Sequence, residues 1–358
     1  VVTMNNVNYE KYENKGYIGL ANLGNTCFLN SCIQVLNHTY ELHFLVDSKI
    51  QMKQIKPNCM DTLILNEWNE LKQVMWMNSG TGTVSPNKFI HSIQRIAREK
   101  KREVFTGWLQ NDITEFLLFL LDCIHNSISR KIKIQINGKA ENQTDKMAIA
   151  AYELLQTIYS KEYSEIMDIF YGVYVTTISS LDGKKIHSIK AEHYFVLDLQ
   201  IFHENQICTN LYQCFDLLVK PEQMTGENAW YNEKTKKKQD ISRNVCFWNF
   251  PKILVITLKR FSPDGMYKLH NVIDFPLVDL DLSPYVKGYN PKNYMYDLFG
   301  VCNHIGGVEG GHYTSFVKNV SGQWVHYNDS VVEILPDPNR IVSPMAYCLF
   351  YRKKNNLS

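Results

Sequence analysis

The sequence predicts an α+β fold, and three observations carry the prediction. Up to about residue 168, apolar residues recur at helical spacing. Beyond about residue 169, short runs rich in Val, Ile, Thr, Tyr and Phe alternate with turn formers, as strands do. Helices first and strands afterwards favour α+β over an alternating α/β order. The chain is also large enough: 358 residues, 45% apolar and 12% aromatic, bury a sizeable core in two domains or one elaborated domain. Two such halves would leave a cleft between them as the natural place for a site.

The elements follow in order. Residues 1–15 read as a mobile arm. From Gly19 a turn leads into a helix reaching toward Ser48, with Leu29, Ile33 and Leu36 on one face. Residues 60–78 and 87–101 read as further helices. Asp112 and Glu115 form a capping-box-like start for a helix whose face is Ile113, Phe116, Leu117, Leu120, Leu121 and Ile124. Lys131 to Lys146 is polar and reads as a surface loop, followed by a helix over 146–168. Strands are expected at Tyr171–Ser179, His187–Leu199, Val245–Phe250, Ile253–Phe261, Tyr296–Asn303, Tyr313–Lys318 and Trp324–Tyr327.

Composition narrows the function classes. Lys plus Arg number 38 against 36 Asp plus Glu, so the net charge is +2, without the basic excess that nucleic-acid binding usually needs. The short basic runs Arg98–Glu103 and Lys234–Lys238 read as solvated surface. The densest apolar run, Phe116–Leu121, is far short of a membrane span, and Val1–Gly16 has no apolar signal-peptide core. A monomer in the cytoplasm or nucleus is expected. Nine cysteines occur without a single Cys-x-x-Cys, which speaks against a disulfide framework or a cysteine-rich zinc site. Most read as small buried hydrophobes.

One cysteine is placed differently. In Gly19 to Cys32, Gly24 and Asn25 are turn formers, and Asn25 or Thr26 is positioned to cap the next helix. Cys27 then falls in the first helical turn. Free N–H groups and the positive end of the helix dipole favour a thiolate there, and the same groups donate to an oxyanion. The bland alternative is a buried cysteine. Of eleven histidines, His312 stands out behind Gly306, Gly307, Gly310 and Gly311. A strand follows it, and a turn near Val320 and Ser321 returns the chain through Trp324. That hairpin brings Asn328 opposite His312 within a residue or two. The Asn328 carboxamide oxygen would accept from the imidazole and fix its tautomer, as in a Cys-His-Asn triad. Asp329 would face the other way along a regular strand. A glycine-rich hairpin with polar ends is the plainer reading.

These residues resemble a known family. Gly19–Gln34 resembles the Cys box of the ubiquitin-specific proteases, and Gly310–Tyr313 through Trp324–Asp329 resembles their His box. Gln110, Asn111 and Asp112 look like the Gln-Gln-Asp box. Pro251–Phe261, then Lys268 with Phe275, Pro276 and Tyr285, then Asn303–Gly306 follow in family order. The likeness covers roughly residues 16–352.

The resemblance implies a papain-like cysteine protease with thumb (about 16–130), palm (about 131–169 and 259–352) and fingers (about 170–258), and a tail at 353–358. It implies Cys27 as nucleophile, His312 as base and acid, Asn328 as orienter, Asn22 as oxyanion donor and Asp329 as an assisting acid. Gln110, Asp112, His304 and Tyr313 would line a channel for the C-terminal tail of ubiquitin, joined to ubiquitinated proteins. Asn111 stands where the family often has a second Gln. The implied activity is deubiquitination through a thioester, with a non-catalytic ubiquitin-binding scaffold or a protease for a ubiquitin-like modifier as alternatives. Many members hold zinc in the fingers by two Cys-x-x-Cys pairs. Ser180, Gly183, Asn232 and Thr235 stand at those positions, so no cofactor is expected.

Overall fold

The computed structural model describes residues 7–77, 80–204, 206–262 and 264–354. Strand β1 (Ile18–Leu20) opens the chain and pairs in parallel with β2 (Gly82–Val84). Around them stand α1 (Cys27–Leu36), α2 (Tyr40–Gln51), α3 (Thr62–Met77), α4 (Asn87–Glu99) and α5 (Ile113–Ile128). Then come α6 (Gln143–Lys161) and α7 (Glu165–Phe170). Two expected helices are each split in two. The first breaks after Leu36, where Thr39 Oγ1 bonds back to the Val35 carbonyl and Arg352 donates to the carbonyl of His38. These bonds satisfy groups freed by the break. The second starts at Gln143, because Asn142 and Asp145 cap each other reciprocally. It stops at Lys161, and Ser164 caps α7 afresh.

Residues 1–6 of the expected arm and 355–358 of the expected tail lie outside the described residues. The described part of the arm is docked, not free. Tyr12 is buried against the rings of Tyr40, His43 and Trp76. Among the described residues, no helix is long and apolar enough to cross a membrane.

The second half supplies β3 (Gly172–Ser180), β4 (Ile186–Tyr194), β5 (Val196–Gln200), β6 (Phe202–His203), β7 (Gln206–Ile207) and α8 (Leu211–Val219). Next are β8 (Glu222–Met224), β9 (Trp230–Asn232), β10 (Lys237–Gln239), β11 (Ile241–Asn249), β12 (Ile253–Lys259) and β13 (Leu280–Asp281). The chain ends through β14 (Met295–Gly306), β15 (Gly311–Lys318), β16 (Trp324–Asn328), β17 (Val331–Ile334) and β18 (Ala346–Lys353). One sheet has eight strands, ordered β17-β16-β15-β14-β18-β12-β5, with β13 on β14. A second sheet is ordered β4-β3-β11-β8. The single strand expected over His187–Leu199 is two strands in different sheets. Its first part pairs with β3, and β5 pairs in parallel with β12. Helix α8, β17 and β18 were not anticipated. β18 is the largest of these omissions, since it lies between β14 and β12 in the middle of the large sheet.

The core explains these choices. The large sheet is covered on both faces. Ile253 and Val255 of β12 face the helical lobe, while Leu254, Ile256 and Leu258 join a second cluster with α8. A strand buried on both faces reads as a near-continuous apolar run, as Ile253–Leu258 does with only Thr257 interrupting it. Helix α1 lies between the lobes, with all ten residues buried. It packs on β14, β15 and β16 on one side and on α5 on the other.

Two hairpins follow, β3–β4 within the second sheet and β9–β10 as a two-stranded sheet of its own. The β3–β4 turn is closed by Ser180, whose Oγ accepts from the Lys185 N–H at 3.0 Å, and by Gly183 in a left-handed conformation (φ 71°). In the β9–β10 turn, buried Asn232 accepts from the N–H groups of Lys234 and Thr235 and donates to Gln239 Oε1. Ser180, Gly183, Asn232 and Thr235 thus take part in turn chemistry. Treatment with a chelator is expected to leave the thermal midpoint unchanged; a drop of several degrees in differential scanning fluorimetry would contradict this.

Helix α7 is tied down by charge. Glu165 accepts from Lys49 Nζ at 2.9 Å and from Arg130 Nη2 at 2.8 Å. Burial alone would push the Glu165 carboxyl up, but Arg130 and Lys49 outweigh it and hold the value at about 2. The folded value lies below the unfolded one of about 4.3. Its stabilising contribution is therefore full above that value and is lost as pH falls toward about 2. Glu165→Gln leaves the Lys49 ammonium buried and short of a counter-charge. Urea unfolding should show a loss of about 3 kcal/mol at pH 7, with the gap to the parent closing as the buffer is acidified.

Candidate active site

The segment before α1 is organised by one side chain. Asn22 Oδ1 accepts from the N–H groups of Gly24 at 3.0 Å and Thr26 at 3.2 Å. Gly24 (φ 109°) and Asn25 (φ 54°) take the left-handed turn conformations this wrapping needs. The cap expected from Asn25 or Thr26 is not made. Thr26 Oγ1 accepts from the Leu23 N–H instead, and Asn25 Nδ2 donates to the Trp108 carbonyl. Helix α1 thus begins at Cys27 without a side-chain cap, which keeps its first N–H groups available.

Cys27 is buried at that helix start. Burial pushes its thiol up from the ordinary value, and the Asp329 carboxylate adds to this. The N–H groups of Tyr313, Phe28 and Cys27 pull the other way and do not prevail. The depression expected from the helix start alone is therefore reversed by desolvation. A thiolate here needs a cation beside it. The Tyr313 backbone acts on this thiol, so the residue after His312 lies near the sulfur. Ser31 Oγ, one helical turn further, donates to the Thr314 carbonyl at 2.9 Å and fixes α1 against β15.

His312 meets the expected partner. Its Nε2 lies 2.7 Å from Asn328 Oδ1. A carboxamide oxygen only accepts, so Nε2 carries a proton, and a neutral ring held this way has its lone pair on Nδ1. The β15–β16 ladder runs Lys318↔Trp324 to Ser315↔Tyr327 and stops there, so side chains rather than backbone bridge the last step. Asp329 does not face away. It adopts a left-handed conformation (φ 50°), which swings its carboxylate back to 4.0 Å from His312 Nε2. Asn22 Nδ2 donates to it at 2.9 Å and Asn30 Nδ2 at 2.8 Å. Its carbonyl accepts from the Leu20 N–H.

The other predicted residues gather beside this cluster. Gln110 Oε1 accepts from the Gly311 N–H at 2.9 Å and ties the glycine-rich segment to the start of α5. Asp112 is the N-cap of α5, accepting from the Thr114 and Glu115 N–H groups, and it also accepts from Tyr347 Oη at 2.6 Å. His304 and Tyr313 are buried, their rings 4.7 Å apart and both near Tyr347. Asn111 turns inward to the Leu109 carbonyl. A cavity of about 730 Å³ opens between α5 and the large sheet, lined by Asp112, Glu115, Asp198, Glu204, Phe261 and Tyr347. Sequence reasoning missed Asn30 and Tyr347. Asn30 had a usable signal, as one of three polar residues, with Ser31 and Gln34, in a helix whose other positions are apolar. Tyr347 had none, lying inside an apolar strand.

Comparison with known proteins places this arrangement. The family model for ubiquitin carboxyl-terminal hydrolases matches residues 18–351. The chain belongs to that family. Ubiquitin carboxyl-terminal hydrolase Usp2 of Drosophila melanogaster is 32% identical over 345 residues, covering 95% of this chain and 35% of that protein. Human ubiquitin carboxyl-terminal hydrolase 2 is 31% identical over 343 residues, covering 94% of this chain and 55% of the relative. The chain thus spans between about a third and about half of these relatives. Among solved structures, the SAGA Ubp8/Sgf11/Sus1/Sgf73 DUB module bound to ubiquitin aldehyde superposes with a TM-score of 0.71 at 24% identity, covering 96% of this chain and 71% of that one. A related module bound to monoubiquitin gives 0.71 at 23% identity, covering 97% and 71%. At these identities the likeness speaks for the mixed α+β fold.

Family membership does not explain why Asp329 reaches this cluster; a close backbone approach does. A Cβ on Gly19 would lie 2.5 Å from the Ser330 carbonyl oxygen. Gly19→Ala should therefore part β1 from the Asp329–Ser330 turn and cost about 1–3 kcal/mol in denaturant unfolding. Gly82→Ala is the control, since its added Cβ makes only an ordinary 3.6 Å contact; equal losses would refute the close-approach explanation.

Proposed function

We propose that this chain is a deubiquitinating cysteine protease, acting on the bond after the C-terminal glycine of ubiquitin. The observation that carries the reading is His312 held through Nε2 by Asn328, which leaves Nδ1 as the acceptor of the neutral ring, with the backbone of the next residue near the Cys27 sulfur. In this reading Cys27 gives its proton to His312 Nδ1, which turns the desolvated thiol into a thiolate paired with an imidazolium. The sulfur attacks the glycine carbonyl. Asn22 stabilises the oxyanion together with the uncapped N–H groups of α1; its Nδ2 has one proton on Asp329 and a second free to donate. His312 then protonates the leaving lysine amine. Neutral again, it activates the water that opens the thioester.

The surrounding residues serve binding. The cavity sets Asp112, Glu115, Asp198 and Glu204 against Lys259 and Arg260, an acidic balance that suits a basic, extended tail. Both Asp112 oxygens already accept bonds within the protein, so its part is to hold Tyr347 and the start of α5, while exposed Glu115 offers free charge. Asp329 orients Asn22 and adds negative charge near His312. Thumb, palm and fingers correspond in this reading to the helical lobe, the large sheet and the four-stranded sheet.

The test uses ubiquitin carrying an electrophilic C-terminus. Intact mass should show one adduct, absent in Cys27→Ala and formed at least about 100-fold more slowly in His312→Ala. Binding without an adduct would favour a scaffold. Adducts only with a ubiquitin-like probe would favour a protease for another modifier.

A further inference from the structure

Lys268 has the burial of a core residue and the charge of a surface one. It sits in the loop between β12 and β13, where its backbone bridges Phe261, and it is 7% exposed. Among the described residues no carboxylate lies within ion-pair distance of it. A buried ammonium needs hydrogen-bond partners, and Lys268 finds both on one residue. Nζ donates to the His304 carbonyl at 2.6 Å and lies 2.9 Å from His304 Nδ1.

This contact dictates a protonation state. An ammonium has only protons to offer, so Nδ1 must present its lone pair and the ring proton must sit on Nε2. Burial, and then Lys268 itself, push His304 down to about 4, so the ring stays neutral near pH 7. Burial and then Arg260 pull Lys268 down to about 8. Asp112 is the acid that opposes the shift at His304, and Tyr313, Tyr347 and Phe261 supply its ring contacts.

The free end of the ring points somewhere useful. A Cβ on Gly311 would lie 2.4 Å from His304 Nε2, so only glycine lets the segment before His312 come this close. Among the described residues Nε2 has no hydrogen-bond partner. We infer that Lys268 is a positioning residue, locking His304 in the tautomer whose Nε2–H is a ready donor beside Gly311 to a backbone carbonyl of the bound tail. Without the lock, the ring would sample the other tautomer and present a lone pair to that carbonyl.

The donor role rests on the proposed deubiquitinase reading; the lock does not. Long-range ¹H–¹⁵N correlation spectra of the histidine rings in the intact protein read the lock directly. The parent should show His304 with its proton on Nε2, and Lys268→Met should show mixed tautomers. With a ubiquitin–fluorophore substrate, Lys268→Met should raise KM about threefold to tenfold, the loss of one oriented hydrogen bond, with kcat nearly unchanged. A double-mutant cycle with His304→Phe guards against simple misfolding: in that background Lys268→Met should add little. Unchanged tautomers in Lys268→Met, or additive penalties in the cycle, would overturn the inference. A parent protein that cleaves no ubiquitin would defeat the functional reading and the donor role with it, while the spectra would still decide the lock.

Discussion

The site depends on one wedge. Helix α1 is buried along its whole length between the helical lobe and the large sheet. Its apolar residues fill a core shared by both lobes, and its polar ones are spent on anchoring. Ser31 bonds β15, Asn30 bonds Asp329, and Gln34 Nε2 donates to the Ile18 carbonyl. A helix so fixed cannot slide without leaving buried polar groups unpaired. Its first residue is Cys27, so the sulfur inherits the precision of the wedge.

A second constraint aligns what faces the wedge. The left-handed turn at Asp329 costs a non-glycine residue steric strain, and three donors offset it. Asn22, Asn30 and the Leu20 N–H all converge on this one residue. The strained residue joins the segment before α1 to the end of β16 and brings a carboxylate near His312. That charge cuts two ways. It steadies an imidazolium, and it raises the free-energy cost of a lone thiolate on Cys27. Charge separation is therefore favoured as a pair and disfavoured singly, which suits a sulfur that should be nucleophilic only beside its base.

Farther out, the same economy recurs with different chemistry. Asp112 caps α5 and holds Tyr347 with one carboxylate. Glu165 holds two cations at once. The hairpin tips are closed by Asn232, Ser180 and Gly183. Turn hydrogen bonds of this kind are local, so they hold each hairpin shut without cross-linking one to the other.

The sequence alone determined the α+β order, most helices and strands, the helix-start position of Cys27 and the pairing of His312 with Asn328. All of these follow from periodicity or from short-range hairpin geometry, which act within some twenty residues. Tertiary structure decided the rest. Helix breaks at Asn37 and Glu162 depend on distant partners or on fresh caps. β18, doubly buried like β12, lacks alternation, and its pairing between β14 and β12 is what shows it as a strand. The return of Asp329 and the net rise of the Cys27 thiol arise from residues about three hundred positions apart in the chain, and the lysine behind His304 comes from 36 positions away. Spacing reports which side chains share a face; it does not report how much water a fold removes from a thiol, or which far segment supplies its neighbours.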